Sequence, residues 1–239
     1  MNLQSPILLL TRPAGQSVRF ADAVQTRLGQ MCVVVSPILE IVNLPINLTI
    51  KPEDVLIFSS QNAVSAFSDS ENASGRLAFC VGDRTAEVAR TAGFRVVSAS
   101  GDVVALERLV QKYAPRGQLW YLCGVHTHGE LDEKLRGAGY SVRKVIVYQQ
   151  IAKDFTSVAK GALEGGQPVI LPLFSKRSAQ LVGEAAIGAK APLWGVFISP
   201  TVAKAWQGPN FDRAVTAQQP TAAGMLDAVA AIGKAEWSG

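Results

Sequence analysis

The sequence predicts an α/β protein built from two lobes, each with a parallel β-sheet. Three observations predict this class. Short apolar or β-branched runs alternate with amphipathic helical runs, which is typical of parallel strands covered by helices on both faces. The length of 239 residues allows one large domain or two small ones. Several segments of the first half also recur in the second half, which indicates two copies of one unit.

The predicted strands are apolar runs that end in small or polar residues. They cover residues 7–11, 33–35, 55–58, 77–81, 95–99, 119–123, 142–151, 169–174, 193–198 and 213–217. The predicted helices cover residues 17–28, 63–67, 85–92, 103–113, 129–136, 178–184, 201–206 and 221–232. Pro172 interrupts one strand. Because proline has no N–H to give to a ladder, we expect an edge strand or a bulge there.

The internal repeat is permuted along the chain. Residues 57–63 match residues 173–179, and three further pairs of segments match at similar shifts: 81–86 with 198–203, 100–102 with 219–221, and 29–38 with 139–148. One α/β lobe is therefore predicted from residues 1–37 plus 151–239, and the other from residues 38–150. The chain crosses twice between them in extended segments. These can pair as a two-stranded β-ladder that acts as a hinge, with an active-site cleft between the lobes.

Composition and charge narrow the function classes. The formal net charge is +4, but the cationic residues form no run longer than a pair, which disfavours nucleic-acid binding and suits a small polyanion. No apolar run approaches ~18 residues, so we expect no membrane span. The N-terminus lacks the pattern of a secretory signal, and three cysteines are an odd number, so we expect a reduced cytoplasmic protein. We also expect a monomer.

The candidate ligand contacts follow the predicted strands. In open parallel sheets, ligands bind beyond the carboxyl ends of the strands, where helix N-termini attract anions. The candidates there are Arg12, Ser59, Ser60, Arg84, Thr85, Gly124, Ser175, Lys176, Arg177, Ser199 and Thr201. Each has a simpler interpretation, because serine and threonine before a helix are ordinary N-caps and exposed cations are ordinarily solvated. Tyr148, inside the second crossing, is either a site residue or a strand residue resting on the core.

The order and spacing of several short motifs resemble the uroporphyrinogen-III synthase family. These are LLLTRP at residues 8–13, SPILEI at 36–41, VLIFSSQNAV at 55–64, VGDRTA at 81–86, LWYLCG at 119–124, VIVY at 145–148 and QPT at 219–221. The resemblance implies two α/β lobes joined by a ladder. It also implies cyclisation of linear hydroxymethylbilane with loss of water and inversion of the terminal pyrrole ring. It implies no metal or organic cofactor, and a polycarboxylate substrate.

The resemblance also implies a role for one side chain. Tyr148 matches the tyrosine that the family uses to donate a proton to the departing hydroxyl. The sequence departs from the family pattern at His128, where an arginine that can reach substrate carboxylates often stands, and at Ser199-Pro200, which lacks a glycine. The alternative is a non-catalytic two-lobed module that binds an anionic small molecule or a tetrapyrrole. The presence of Tyr148 and Thr85 favours the enzyme.

Overall fold

A computed structural model describes residues 5–69, 71, 73–126 and 130–233 of the chain. Its strands are β1 Ile7–Leu10, β2 Val33–Val35, β3 Leu39–Asn43, β4 Val55–Phe58, β5 Leu77–Cys80, β6 Arg95–Ser98, β7 Leu119–Gly124, β8 Val142–Ala152, β9 Val169–Leu173, β10 Leu193–Phe197 and β11 Arg213–Thr216. Its helices are α1 Ala14–Leu28, α2 Gln61–Ser68, α3 Asp83–Thr91, α4 Val103–Tyr113, α5 Leu131–Gly137, α6 Ser157–Glu164, α7 Lys176–Ala185, α8 Pro200–Ala203 and α9 Ala222–Gly233. The predicted α/β class with parallel sheets is confirmed.

The chain divides into two compact units. The first unit comprises Met1–Glu40 and Ala152–Gly239. Its five-stranded sheet has the order β11-β10-β9-β1-β2, and these strands pair in parallel. Apolar side chains cover both faces of the sheet, with Leu9 and Leu171 in one core and Leu8 and Ile170 in the other. Successive residues of one strand therefore pack into cores on opposite faces of the sheet, because side chains alternate along a β-strand.

The second unit comprises Ile41–Ile151. Its sheet has the order β3-β8-β7-β4-β5-β6, with parallel pairing from β8 through to β6. The segments β3 and β8, through which the chain passes from one unit to the other, lie side by side. The N–H of Leu44 donates to the carbonyl of Val147, and the N–H of Lys153 donates to the carbonyl of Ile38, so the two strands run antiparallel.

The two sheets share one strand order, as the internal repeat predicts. When β9, β10, β11, β1 and β2 of the first unit are matched with β4, β5, β6, β7 and β8 of the second, both sheets read in the same sequence from edge to edge. The first unit forms its copy from the two ends of the chain, and the second unit forms its copy from the middle. The permutation inferred from the repeated segments is therefore a property of the sheet topology.

The expectation for Pro172 is wrong. It lies in β9, which is the central strand of its sheet, and it pairs in regular register with Val196 of β10. Val169 donates its N–H toward β10, to the carbonyl of Pro192, so strand alternation turns the nitrogen of Pro172 toward β1. The pairing between β9 and β1 ends at Leu8 and Ile170. The ladder with β1 therefore stops where the missing N–H would have continued it, while the pairing with β10 stays regular.

Helix α6 is an element that the sequence interpretation omitted. It begins after Thr156, whose side chain accepts a hydrogen bond from the N–H of Ala159 and forms an N-cap. Its apolar positions Ala159 and Leu163 are buried against the core of the first unit. Across the described ranges, none of the helices is long and apolar enough to cross a membrane.

Candidate functional site

The predicted site residues form two sets, one in each unit. Ser59, Ser60, Arg84, Thr85, Gly124 and Tyr148 belong to the second unit, and Arg12, Ser175, Lys176, Arg177, Ser199 and Thr201 belong to the first. Most of these residues directly follow strands that are neighbours or near neighbours in the parallel sheet of their unit. Tyr148 lies instead on β8, beside the end of β7. The structure therefore places each set at the carboxyl-end edge of its own sheet, where parallel-sheet proteins bind ligands.

The ring of Tyr148 lies directly against the backbone of Gly124. A register shift in the pairing of β7 with β8 follows Cys123 and sets Gly124 opposite Tyr148. The aromatic ring lies so close that a Cβ on Gly124 would stand 2.5 Å from Cζ of Tyr148 and 2.9 Å from its hydroxyl oxygen. The N–H of Val125 also donates to the carbonyl of Tyr148, at 3.1 Å. The end of β7 thus fixes both the backbone and the ring of this tyrosine.

The environment of Tyr148 is apolar around the ring. The residue is 6% exposed and packs with Leu122 and Val147 in one core of the second unit. Within the part of the chain that the structure describes, its hydroxyl makes no hydrogen bond. A rigid ring with a hydroxyl not engaged by those residues can donate to a ligand, so the core position and the site position predicted for Tyr148 are compatible.

Ser59 is paired with a buried residue of the neighbouring strand. Its Oγ lies 3.2 Å from the hydroxyl oxygen of Tyr121 on β7. Tyr121 is 1% exposed, and burial raises the pKa of its phenol although the contact with Ser59 opposes that rise. The phenol therefore stays protonated and holds Ser59 at the end of β4. The available sequence signal was a tyrosine in the strand that ends at Gly124.

Ser60 and the first turn of α3 complete the set in the second unit. The side chain of Ser60 caps α2 by accepting the N–H of Asn62 at 3.2 Å. Arg84 is exposed, whereas Thr85 is 7% exposed, and both lie in the first turn of α3. Between Gly82 and these residues, Asp83 accepts hydrogen bonds from Ser98 at 2.7 Å and Ser100 at 2.8 Å.

These two hydroxyl donors lower the pKa of Asp83, and the hydrogen bond from Ser98 has the larger effect. The carboxylate therefore remains charged and ties the start of α3 to the loop after β6. This anchors the helical turn that carries Arg84 and Thr85.

Arg12 has a defined position in the first unit. Its guanidinium lies over the ring of Phe174, 4.0 Å from the ring centroid, and Phe174 meets Phe20 edge to face. The hydroxyl of Ser17, in the first helix, donates to the carbonyl of Arg12 at 2.8 Å. A cation held over an aromatic ring keeps its charge while losing conformational freedom, which suits it to bind a carboxylate.

The serines of the first unit are N-caps. The side chain of Ser175 accepts the N–H of Ser178 at 3.1 Å, and that of Ser199 accepts the N–H of Val202 at 3.4 Å. Lys176 and Arg177 lie in the first turn of α7, and exposed Thr201 lies in α8. The capping alternative is therefore observed for both serines. His128, where the sequence departs from the family pattern, lies outside the described residues.

Two of the three thiols, those of Cys80 and Cys123, are buried, whereas that of Cys32 is exposed. Burial raises the pKa of Cys80 to about 12 and that of Cys123 to about 11, so both are protonated near neutral pH. Among the described residues, no group of three or more histidine, cysteine, aspartate or glutamate side chains could hold a metal ion.

Known proteins match this chain in both sequence pattern and fold. The family model described as uroporphyrinogen-III synthase HemD matches residues 22–227. A crystal structure of uroporphyrinogen-III synthetase from Helicobacter pylori is similar with a TM-score of 0.64 at 16% identity, and the match covers 96% of this chain and all of that one. A mutant uroporphyrinogen III synthase from Thermus thermophilus gives a TM-score of 0.50 at 13% identity, covering 98% of this chain and all of that one.

The two kinds of match carry different weight. At these identities the solved structures show a shared fold, whereas the family model spans most of the sequence. No curated protein sequence is a significant match. The chain belongs to the uroporphyrinogen-III synthase family, and its activity is the formation of uroporphyrinogen III in tetrapyrrole biosynthesis.

Proposed function

We propose that this chain closes linear hydroxymethylbilane to uroporphyrinogen III with Tyr148 as the proton donor to the departing hydroxyl. The observation that carries the proposal is the close contact between the ring of Tyr148 and Gly124. This contact fixes a phenol at the edge of the sheet where ligands bind. Phenols are weak acids, with a pKa of about 10 in water, so the contribution of such a group is a well-placed hydrogen bond and a proton.

The chemical step balances without an oxidant or a reductant. The C–O bond of the hydroxymethyl group breaks, the pyrrole nitrogen supplies electron density, and the hydroxyl leaves as water with a proton from Tyr148. The substituted α-carbon of the terminal ring then attacks the electron-poor carbon and gives a spiro intermediate, after which the bond that joined this ring to the rest of the chain breaks. The methylene carbon released in this way is attacked by the free α-carbon of the same ring, so the ring closes in the inverted orientation. A ring carbon later loses a proton, which restores the phenol directly or through solvent. The unassisted reaction closes without inversion, so the protein supplies orientation.

Substrate carboxylates are proposed to bind the cations and helix N-termini of both sets. In the second unit Arg84 and the first turn of α3 carry this role, and in the first unit Arg12, Lys176 and Arg177 do so. Capping does not remove Ser60 or Ser199 from binding, because a serine Oγ that accepts a backbone N–H still has its own proton to donate. Thr85 offers a hydroxyl beside Arg84.

We further propose that the protein acts as a monomer in the cytoplasm and needs no cofactor. Large exposed apolar side chains among the described residues occur on separate elements, for example Val18 on α1, Val158 on α6 and Ile187 after α7. Scattered apolar side chains of this kind are normal on monomers. Cys32, Cys80 and Cys123 are all free thiols, which fits a compartment in which thiols remain reduced.

The test is an isomer assay with freshly prepared hydroxymethylbilane. The purified chain is expected to yield the III isomer, and Tyr148→Phe is expected to yield the same isomer at a turnover lower by about threefold to a hundredfold. Tyr113→Phe is the matched control, because Tyr113 is half exposed and meets Phe79 edge to face, away from the site. Formation of only the I isomer would identify a non-catalytic binding module. Unchanged turnover in Tyr148→Phe would make this tyrosine structural.

A further inference from the structure

A cavity of about 640 Å³ opens at the amino end of the sheet in the second unit. We call it the amino-end cavity. Its lining includes Asp54, just before β4, Gln118, just before β7, and Ser141, just before β8. The predicted site residues of this unit lie at the opposite end of the same strands. Along β8, Arg143 of the cavity and Tyr148 are five residues apart, which corresponds to about 16 Å of strand.

The walls of the amino-end cavity are held by hydrogen bonds. The carboxylate of Asp54 accepts from the backbone N–H of Lys51, the backbone N–H of Gln118 and the indole N–H of Trp120, each at 3.0 Å. The side-chain amide of Gln118 donates to the carbonyl of Ser141 and accepts from its hydroxyl. A cavity with such walls is largely formed before a ligand arrives, which lowers the cost of binding.

Close backbone packing also fixes the turn that closes the amino-end cavity. A Cβ on Gly117 would stand 2.2 Å from the carbonyl oxygen of Glu53, so only glycine allows these two backbone segments to approach as they do. On the other side, the guanidinium of Arg76 donates to the carbonyl of Ile50 at 3.3 Å and anchors the extended segment that carries Thr49 and Lys51.

Three cations line the amino-end cavity from three separate segments. Lys51 precedes β4, Arg116 precedes β7, and Arg143 lies on β8. None of them forms a salt bridge with any described residue. The lining also holds two acids. Glu53 is exposed, and Asp54 is a carboxylate whose charge is partly offset by its three N–H donors and by the nearby charge of Lys51.

An apolar wall stands beside these charges. Leu48 and the indole of Trp120 line the cavity, and the guanidinium of Arg143 lies over the indole, 5.5 Å from its ring centroid. Guanidinium and ammonium groups are the side chains that ordinarily bind a phosphate dianion. A volume of about 640 Å³ also leaves room for an organic group next to Leu48.

We propose that the amino-end cavity is a second binding site, distinct from the catalytic residues, for the phosphate group of a small organic phosphate monoester. Arg116, Arg143 and Lys51 bind the phosphate, and the organic group packs against Leu48 and the edge of Trp120. Because the cations are exposed, we expect binding to weaken as the salt concentration rises.

The test is calorimetric titration of the full chain with phenyl phosphate and with inorganic phosphate. We expect phenyl phosphate to bind more tightly than inorganic phosphate, because only the ester has an organic group for the apolar wall. Arg116→Gln and Arg143→Gln should each weaken phenyl phosphate binding about tenfold, as expected for loss of a charge-assisted hydrogen bond. Arg108→Gln, which removes an exposed arginine on α4, is the matched control and should leave binding unchanged.

Three outcomes would overturn the proposal. One is the absence of phenyl phosphate binding at millimolar concentrations. Another is equal binding by the wild type and both arginine variants. The third is loss of binding in Arg12→Gln, which would move the anion to the first unit. Inorganic phosphate binding as tightly as the ester would refute the organic part of the ligand. Circular dichroism confirms that each variant is folded, and both cavity variants should still form uroporphyrinogen III at the wild-type rate.

Discussion

The ring of Tyr148 occupies the space in which any side chain at Gly124 would stand. A Cβ there would lie 2.5 Å from Cζ, 2.7 Å from Cε2 and 2.9 Å from the hydroxyl oxygen of Tyr148. Contacts this short involve the body of a nearly buried ring, so the ring or the strand must move to relieve them. Gly124 therefore determines where the phenol of Tyr148 points. This gives a physical reason for the prediction that Gly124 is a site residue.

The first prediction is that Gly124→Ala lowers turnover at least tenfold by displacing the ring of Tyr148. Overpacking of this kind should also cost about 1–3 kcal/mol of stability. The measurement is kcat at a temperature well below the unfolding midpoint. Gly137→Ala is the control, because a Cβ on Gly137 meets nothing within 4 Å.

A double-mutant cycle separates this mechanism from general damage to the fold. If Gly124 acts through the phenol, adding Gly124→Ala to Tyr148→Phe should lower kcat by much less than it does in the wild type. Equal losses in both backgrounds would contradict the positioning role.

The second prediction concerns the pair formed by Ser59 and Tyr121. Tyr121→Phe removes only the buried hydroxyl group and leaves Ser59 without its partner on β7, so the serine should lose its fixed orientation. We expect a rise in KM of about threefold to tenfold with little change in kcat, because the effect falls on substrate binding. Ser59→Ala should give a similar rise, and the double variant should add little to either single change. A fall in kcat at constant KM would instead place this pair in the chemical step.

The strands and the repeat were predictable because buried parallel strands are continuous apolar runs, and each such run can be recognised by itself. The two contacts described above were not, because they depend on register. Ser59 meets Tyr121 only once β4 is aligned with β7, and Tyr148 meets Gly124 only through the register shift after Cys123. Nothing local in the sequence specifies either alignment.

Capping shows a different limit. The sequence left two interpretations open for Ser60, Ser175 and Ser199, and the structure shows that all three side chains accept backbone N–H groups. Pro172 shows the converse. Its residue type favours an edge strand, yet it lies in the central strand β9. Its nitrogen faces β1, and the ladder with β1 stops before it, while the ladder with β10 is regular.

The third prediction concerns Asp54. Burial alone would raise the pKa of this carboxyl, but the hydrogen bonds from Trp120, Lys51 and Gln118 outweigh it and lower the pKa below the ordinary value of 3.8. The substitution Asp54→Asn leaves a side chain with one acceptor oxygen and no charge to face the three donors. We expect a loss of about 2–4 kcal/mol in the free energy of unfolding, measured by denaturant titration.

The pH dependence of that loss has a defined direction. A carboxyl whose folded pKa is lowered stabilises the protein above its unfolded pKa, and this contribution is lost as the pH falls through the folded value. The difference between the wild type and Asp54→Asn should therefore be full at pH 7 and shrink below about pH 4. Asp154→Asn, at an exposed position, should show no such difference. A difference that stays constant down to pH 3 would show that the charge of Asp54 is not responsible.

The last prediction tests how Arg12 binds the substrate. Its guanidinium is held over Phe174, so Arg12→Gln removes a positioned charge and also a cation–π contact worth about 0.5–1 kcal/mol. If Arg12 binds a carboxylate equally in the ground state and the transition state, KM should rise about tenfold while kcat and the isomer formed stay the same. Arg19→Gln removes an exposed arginine from the same helix region and should change neither constant.

Arg12→Lys separates charge from geometry, because a lysine keeps the charge but cannot reproduce the planar guanidinium. Partial recovery of KM in Arg12→Lys, and further weakening in Arg12→Glu, would establish an electrostatic contact with the substrate. If all three variants at position 12 keep the wild-type KM and lose only stability, Arg12 stabilises the first unit through Phe174, and Lys176, Arg177 and the start of α7 must supply the anion contacts of that unit.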